Sequence, residues 1–259
     1  MSVDRLYAFS LAELPVPLSL MCPTVDPADT GPVPVGTFLA HAPEGWFMFD
    51  VGLASEFRDP AYGADLFIWG PPTVPGDGEP LADALAACGI GPQDVQAVVL
   101  SHLHNDHTGG LRIFAPHGTP VLVQQAELDA LARGDGGAFS RPLDWEPYGI
   151  ELRGLQGETR IATGITAIPS PGHSWGHQSF LFELASGEKI LATYDAVPLG
   201  QNLETGRTTT ITAGADGPER AQASHDMLVA RAAAEGARII PGHCPRAWSA
   251  IAPPPAYLS

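Results

Sequence analysis

Residues 95–110, VQAVVLSHLHNDHTGG, join a short β-branched apolar run to a turn that holds three histidines and an aspartate. Such a run, ending at polar and glycine residues, predicts a buried strand over 95–101 that delivers the chain into the turn. The whole chain has nine histidines, and His102, His104 and His107 take three of them within six positions. Imidazole nitrogen and carboxylate oxygen are what zinc-like divalent ions bind, at about 2.0–2.2 Å. In His102-Leu103-His104 alternate side chains can face one side, and Asp106 and His107 follow from the next half turn. One loop can therefore offer two ligands to each of two neighbouring ions. Four ligands are too few for two ions, so the rest must come from elsewhere.

Candidates stand at other turns and strand ends. They are His173 after a Pro-Gly turn in SPGHSWGHQS (170–179), Asp195 in ATYDAV (192–197) and His243 in IIPGHC (239–244). The intervening sequence alternates between the two periodicities. TFLAH (37–41) and WFMFD (46–50) read as a hairpin around APEG, and EPLADALAACGI (79–90) as a helix closed by Gly89. PVLVQ (120–124) predicts a strand and QAELDALARG (125–134) a helix. Further strands are expected over 164–170, 179–185, 189–195 and 238–243, with the strongest helix over 217–237. Alternation of this kind means an α/β fold. Asp50, His102, Asp195 and His243 each sit at the C-terminal end of a predicted strand, where sites in α/β sheets gather.

Composition narrows the function. Gly and Pro number 29 and 26 of 259 residues, which implies many turns without low complexity. No linker, repeat or charge block divides the chain, GPPTVPGDGEP (70–80) reads as a surface loop, and residues 1–259 are expected to form one domain. The formal charge is −16 and the thirteen basic residues are scattered, Lys189 being the one lysine. That field disfavours nucleic acid and anionic membranes as partners. Cys22, Cys88 and Cys244 are odd in number and far apart, so no disulfide framework is expected. The N-terminal stretch is too broken by proline for a signal or membrane helix, and a cytoplasmic location is expected.

The spacing His-x-His-x-Asp-His, then Pro-Gly-His, a strand-terminal Asp and Gly-His resembles the metallo-β-lactamase superfamily over nearly the whole chain. LSHLHNDHTGG, VLVQQAEL, PSPGHSWGHQSFLFEL and ATYDA are most similar to the N-acyl homoserine lactonases. The resemblance implies a four-layer αββα sandwich and two divalent metal ions, with zinc expected although manganese, cobalt or iron suit the same shell. It implies His102, His104 and His173 on the first ion, Asp106, His107 and His243 on the second, and Asp195 bridging. It further implies attack of a metal-bridging hydroxide on a small lactone or ester, with Asp106 as proton carrier. Asp50 corresponds to the aspartate that orients a ligand histidine. His177 and Ser179 are expected to hydrogen-bond locally, and His41, His117 and His225 to be surface or structural.

Two positions depart from the lactonases. Pro198 stands where they often carry a tyrosine that holds the lactone, so Tyr194 is the remaining candidate for that role. Asn105 replaces an apolar aromatic residue beside the acyl chain, which suggests a more polar pocket and a different or shorter substrate. Segments 53–80 and 196–216 are expected to line the pocket mouth. A phosphodiesterase, a thioester hydrolase or a mono-iron dioxygenase of the persulfide type stays open as an alternative on the same ligands.

Overall fold

The computed structural model describes residues 2–137 and 139–259. Eleven strands among these residues form two sheets. The first runs in the order β1 (Arg5–Pro17), β2 (Thr30–Ala42), β3 (Gly45–Phe49), β4 (Val95–Val99), β5 (Val121–Gln124) and β6 (Leu152–Leu155). In the second, β7 (Thr159–Ala162), β8 (Ile165–Pro169), β9 (Gln178–Glu183), β10 (Lys189–Tyr194) and β11 (Ala237–Pro241) follow one another across the sheet. Hairpin partners are antiparallel, whereas β3 to β6 and the β10–β11 pair run parallel. The helices are α1 (Leu18–Met21), α2 (Pro80–Ala87), α3 (Asn105–Thr108), α4 (Gln125–Ala132), α5 (Gly200–Thr205), α6 (Gly217–Glu235) and α7 (Pro245–Ser249).

Strand alternation explains the layers. In β3, Phe47 and Phe49 face the second sheet while Trp46 and Met48 face outward, as period-two side chains must. Phe180 and Phe182 of β9 meet Phe38 and Phe49 between the sheets, and Leu181 turns the other way. The outward face of the first sheet packs under Leu81 and Leu85 of α2. Leu228 and Ala232 of α6 cover the second. The result is the expected helix–sheet–sheet–helix sandwich. No helix among the described residues is long and apolar enough to cross a membrane.

The hairpin at 42–45, the predicted helices over α2, α4 and α6, and the strands at 95, 121, 165, 178, 189 and 237 all form. The additional elements are β1, β6, β7 and the short helices. Where the sheets meet, Gln178 stitches them at the edge that carries the histidine turn. Its Nε2 donates to the Leu100 carbonyl at 2.7 Å and its backbone N–H to the Ser101 carbonyl at 2.9 Å.

Candidate metal centre

The ends of β3, β4, β10 and β11 deliver Asp50, His102, Asp195 and His243 to one edge of the sandwich. His102, His104 and His173 each present one ring nitrogen, and those three atoms lie within 4.8 Å of one another. His173 Nε2 is 3.2 Å from His102 Nε2 and 3.1 Å from His104 Nδ1. A second group, Asp106, His107 and His243, meets the same limit. Asp195 reaches both: its Oδ2 is 3.1 Å from His173 Nε2, and its Oδ1 is 3.0 Å from His243 Nε2 and 3.5 Å from His107 Nε2. All seven residues named from the sequence therefore come together.

Local sequence explains why the distant histidines arrive there. Both follow Pro-Gly. Gly172 has φ +136°, and a Cβ on it would lie 2.2 Å from the Ala221 nitrogen near the start of α6. Gly242 abuts the Tyr194 backbone, where a Cβ would meet the carbonyl carbon at 2.6 Å. Any larger residue would push His173 or His243 out of place. Glu127 holds the loop after His173 by accepting hydrogen bonds from the Ser174 hydroxyl and, at 2.6 Å, from Gly176 N–H.

Four of the candidate ligand histidines have their outer ring nitrogen occupied. His243 Nδ1–H donates to Pro34 O at 2.9 Å and His173 Nδ1–H to Ile211 O at 3.1 Å. His107 Nδ1–H donates to Asp50 Oδ2 at 2.6 Å. His102 Nδ1–H meets Ser101 Oγ at 2.9 Å, and that hydroxyl donates onward to Asp50 at 2.6 Å. In the neutral rings these bonds fix the tautomers so that lone pairs on Nε2 point inward, although, against burial, the facing carboxylates hold His107 and His243 above the usual histidine range. Asp50 thus orients a histidine in each group, as its strand-end position suggested for one.

Electrostatics fit a cationic guest. Burial, then neighbouring imidazoles, hold His102 well below the usual histidine range and bring His104 to about 3, so these rings are neutral donors. Burial opposes ionisation of Asp106, but His107 and His243 outweigh it and lower its carboxyl to about 2. Against its own burial, Asp195 is held well below the usual carboxylate range by His243, His173 and His107. His107 Nε2 is buried, faces the carboxylates and has no hydrogen-bond partner among the described residues. Buried carboxylates and an orphaned ring nitrogen are costly unless a cation joins them. The donor set therefore suits two divalent ions that share Asp195.

Other histidines take the places expected of them. His177 shares a hydrogen bond with Ser170, which also bonds Ser179, and its Nε2 accepts the Asp195 N–H at 3.2 Å. His41 pairs with Asp4 and His117 is exposed, while His225 bonds the Asn202 carbonyl, apart from the cluster. Cys244 caps α7.

Tyr194 requires a correction. It is 1% exposed among Phe38, Phe180 and His107, and its hydroxyl donates to the Phe49 carbonyl at 3.0 Å. A hydroxyl spent on the sheet core is not available to hold a substrate.

A cavity of about 260 Å³ opens over the cluster, with His104, Asn105, Asp106, His173 and Asp195 at its polar end. Leu14, Val16, Leu20, Met21, Leu66, Phe67, Trp69, Phe139 and Ile211 form the remaining wall. Segments 53–80 and 196–216 contribute as expected, but β1, α1 and Phe139 do so as well. Apart from Asn105 and the Trp69 indole, the wall around the candidate ligands is apolar. A larger cavity of about 430 Å³ lies between Phe9, α2 and Trp248, away from the histidines.

Comparison with known proteins agrees with this geometry. The family model of the metallo-beta-lactamase superfamily matches residues 30–243. The N-acyl homoserine lactonase AttM of Rhizobium johnstonii is 34% identical over 88% of this chain and 88% of its own. An N-acyl homoserine lactonase of a Bacillus species is 28% identical over 79% of this chain and 80% of its own. Among solved structures, a variant of Bacillus thuringiensis AiiA with N-decanoyl-L-homoserine at its active site superposes with a TM-score of 0.86. It is 26% identical, with 100% of both chains covered. An N-acyl homoserine lactone hydrolase with N-hexanoyl-L-homoserine at its catalytic metal center gives the same TM-score, identity and coverage.

Proposed function

This chain belongs to the metallo-β-lactamase superfamily, and from that premise we propose that it is a metal-dependent hydrolase that opens N-acyl homoserine lactones. The observation that carries the reading is Asp195, whose two oxygens reach two separate groups of donors at the floor of an apolar cavity. His102, His104 and His173 would hold one divalent ion, Asp106, His107 and His243 the other, and Asp195 both, with zinc the expected metal. Bound there, the ions supply Lewis acidity toward an ester carbonyl and lower the pKa of water to about 7.

The chain's own residues do the rest. The cavity wall from Leu14 to Ile211 takes the acyl chain and excludes water, leaving the ester at the polar end. Asp106 lines that end. It accepts the proton lost when water adds to the ring carbonyl and returns it to the ring oxygen as the C–O bond breaks. Asp50, through His107 and Ser101, keeps the lone pairs aimed during this exchange. No arginine or lysine is among the described residues that line the cavity, which disfavours phosphodiesters and the glutathione thioesters.

The test is a panel of N-hexanoyl homoserine lactone, p-nitrophenyl acetate, a p-nitrophenyl phosphodiester and a glutathione thioester, run beside metal analysis. Two ions per chain and preference for the lactone are expected. Faster turnover of the phosphodiester or thioester, or one iron with oxygen uptake, overturns the reading.

A further inference from the structure

Asn105 is 2% exposed and sits between His104 and Asp106, at the polar end of the cavity. Its backbone N–H is used by Phe139 O at 2.9 Å, but its side-chain Nδ2 is buried and has no hydrogen-bond partner among the described residues. Buried unpaired donors are rare, and one beside a reaction site calls for a partner that arrives with the substrate. Outside the candidate ligand residues and the Trp69 indole, Asn105 is the one polar side chain among the described residues lining this cavity. Pro198 and Tyr194 supply no side-chain donor there: proline has none, and the Tyr194 hydroxyl is bound to Phe49.

We propose that the Asn105 amide binds the amide of an N-acyl amino lactone and so selects α-amido lactones over plain alkyl lactones. This rests on the lactonase reading above. A carboxamide has one donor face and one acceptor face, and a secondary amide presents the complementary pair. In an N-acyl homoserine lactone that amide is attached to the carbon next to the scissile carbonyl. A side chain flanked by two ligand residues is therefore placed for the amide rather than for the chain beyond it. The apolar wall alone cannot make this distinction, because an alkyl γ-lactone of equal length buries much the same surface. A site with a hydrogen-bonding group rejects analogues that leave the group unpaired.

The test compares kcat/KM of the metal-loaded enzyme on N-octanoyl homoserine lactone and on an alkyl γ-lactone of matched length. Asn105→Leu keeps the branched shape and removes both polar atoms. It should cost about 10- to 100-fold on the acyl homoserine lactone and stay within about 2-fold on the alkyl lactone. Asn105→Ala, which removes both polar atoms with a smaller side chain and no added charge, should show the same selective loss, and it serves where the leucine variant fails to fold. Equal losses on both substrates at unchanged metal content and Tm, or no loss on either, overturn the assignment while the lactonase reading stands. A wild-type enzyme that opens neither lactone overturns both.

Discussion

Asp50→Asn is the substitution whose consequence the geometry specifies most fully. The Asp50 carboxylate is completely buried and accepts three hydrogen bonds of 2.6 Å, from Ser101 N–H, Ser101 Oγ–H and His107 Nδ1–H. Asparagine keeps the shape and tolerates the left-handed backbone at φ +58°. It keeps one oxygen for Ser101 N–H and turns an NH₂ toward the other two groups. That NH₂ opposes the His107 Nδ1 proton, so His107 must move its proton to Nε2, on the metal side. Ser101 Oγ must now accept from the introduced amide and donate to His102 Nδ1, which moves the His102 proton inward in the same way. One ligand in each group becomes an N–H donor.

Each reversal gives up a charge-assisted hydrogen bond worth about 1.5–3 kcal/mol, or roughly 10- to 100-fold in affinity for each ion. The assay is zinc titration of the metal-free enzyme against a chromophoric chelator, with urea unfolding alongside and exposed Asp226→Asn as control. Weakening of one ion alone would refute the Ser101 relay to His102. Two ions held at wild-type affinity would refute the whole account of Asp50.

Other substitutions probe the loop, the wall and a buried carboxyl. Gly172→Ala should destabilise by about 3 kcal/mol or more, because its Cβ meets backbone at 2.2 Å, while Gly31→Ala, with open space around it, should stay within about 0.5 kcal/mol in urea unfolding. Phe67→Ala should lower kcat/KM about tenfold on a decanoyl homoserine lactone and less than about twofold on a butanoyl one, since only the longer chain reaches far along the wall. Asp144, buried and hydrogen-bonded by the Thr108 hydroxyl, is raised by burial from 3.8 to about 6. Its stabilising, protonated form is present below about pH 4 and lost as pH rises through about 6. Asp144→Asn should therefore gain up to about 3 kcal/mol over wild type near pH 8 and almost nothing near pH 4, read from urea midpoints at the two pH values.

The candidate metal ligands were legible because each is announced locally. A β-branched run or a Pro-Gly pair fixes where the chain turns, and the residue after it has one place to go. The pocket wall carries no such local mark. Leu14 and Val16 belong to β1, an edge strand interrupted by Pro15 and Pro17, and proline is tolerated there because one side of the strand needs no partner. Their meeting with Phe67, Phe139 and Ile211 is decided by the sandwich, not by any segment. Asn105 shows the same limit from the other side. Its polarity was readable, but the character of the pocket depends on distant side chains. Glu127 and Ser101 were missed because a lone acid on a helix and a serine after a strand resemble ordinary surface and turn residues.

Tyr194 and Asp50 are the two non-glycine residues with positive φ among the described residues, at +45° and +58°. Both stand where a strand gives way to the metal-binding edge, one in each sheet. For a bulky residue such as Tyr194 this conformation costs on the order of 1–3 kcal/mol and persists only where the surroundings determine it. Here each supplies the other's restraint. The Tyr194 hydroxyl crosses between the sheets to the carbonyl of Phe49, in the peptide that leads into Asp50. The same left-handed turn at Tyr194 ends the regular register with β11 and swings the next residue, Asp195, out of the sheet toward the histidines. The tyrosine therefore serves the candidate centre through backbone position: it ties the strand end that carries Asp195 to the strand end that orients His102 and His107.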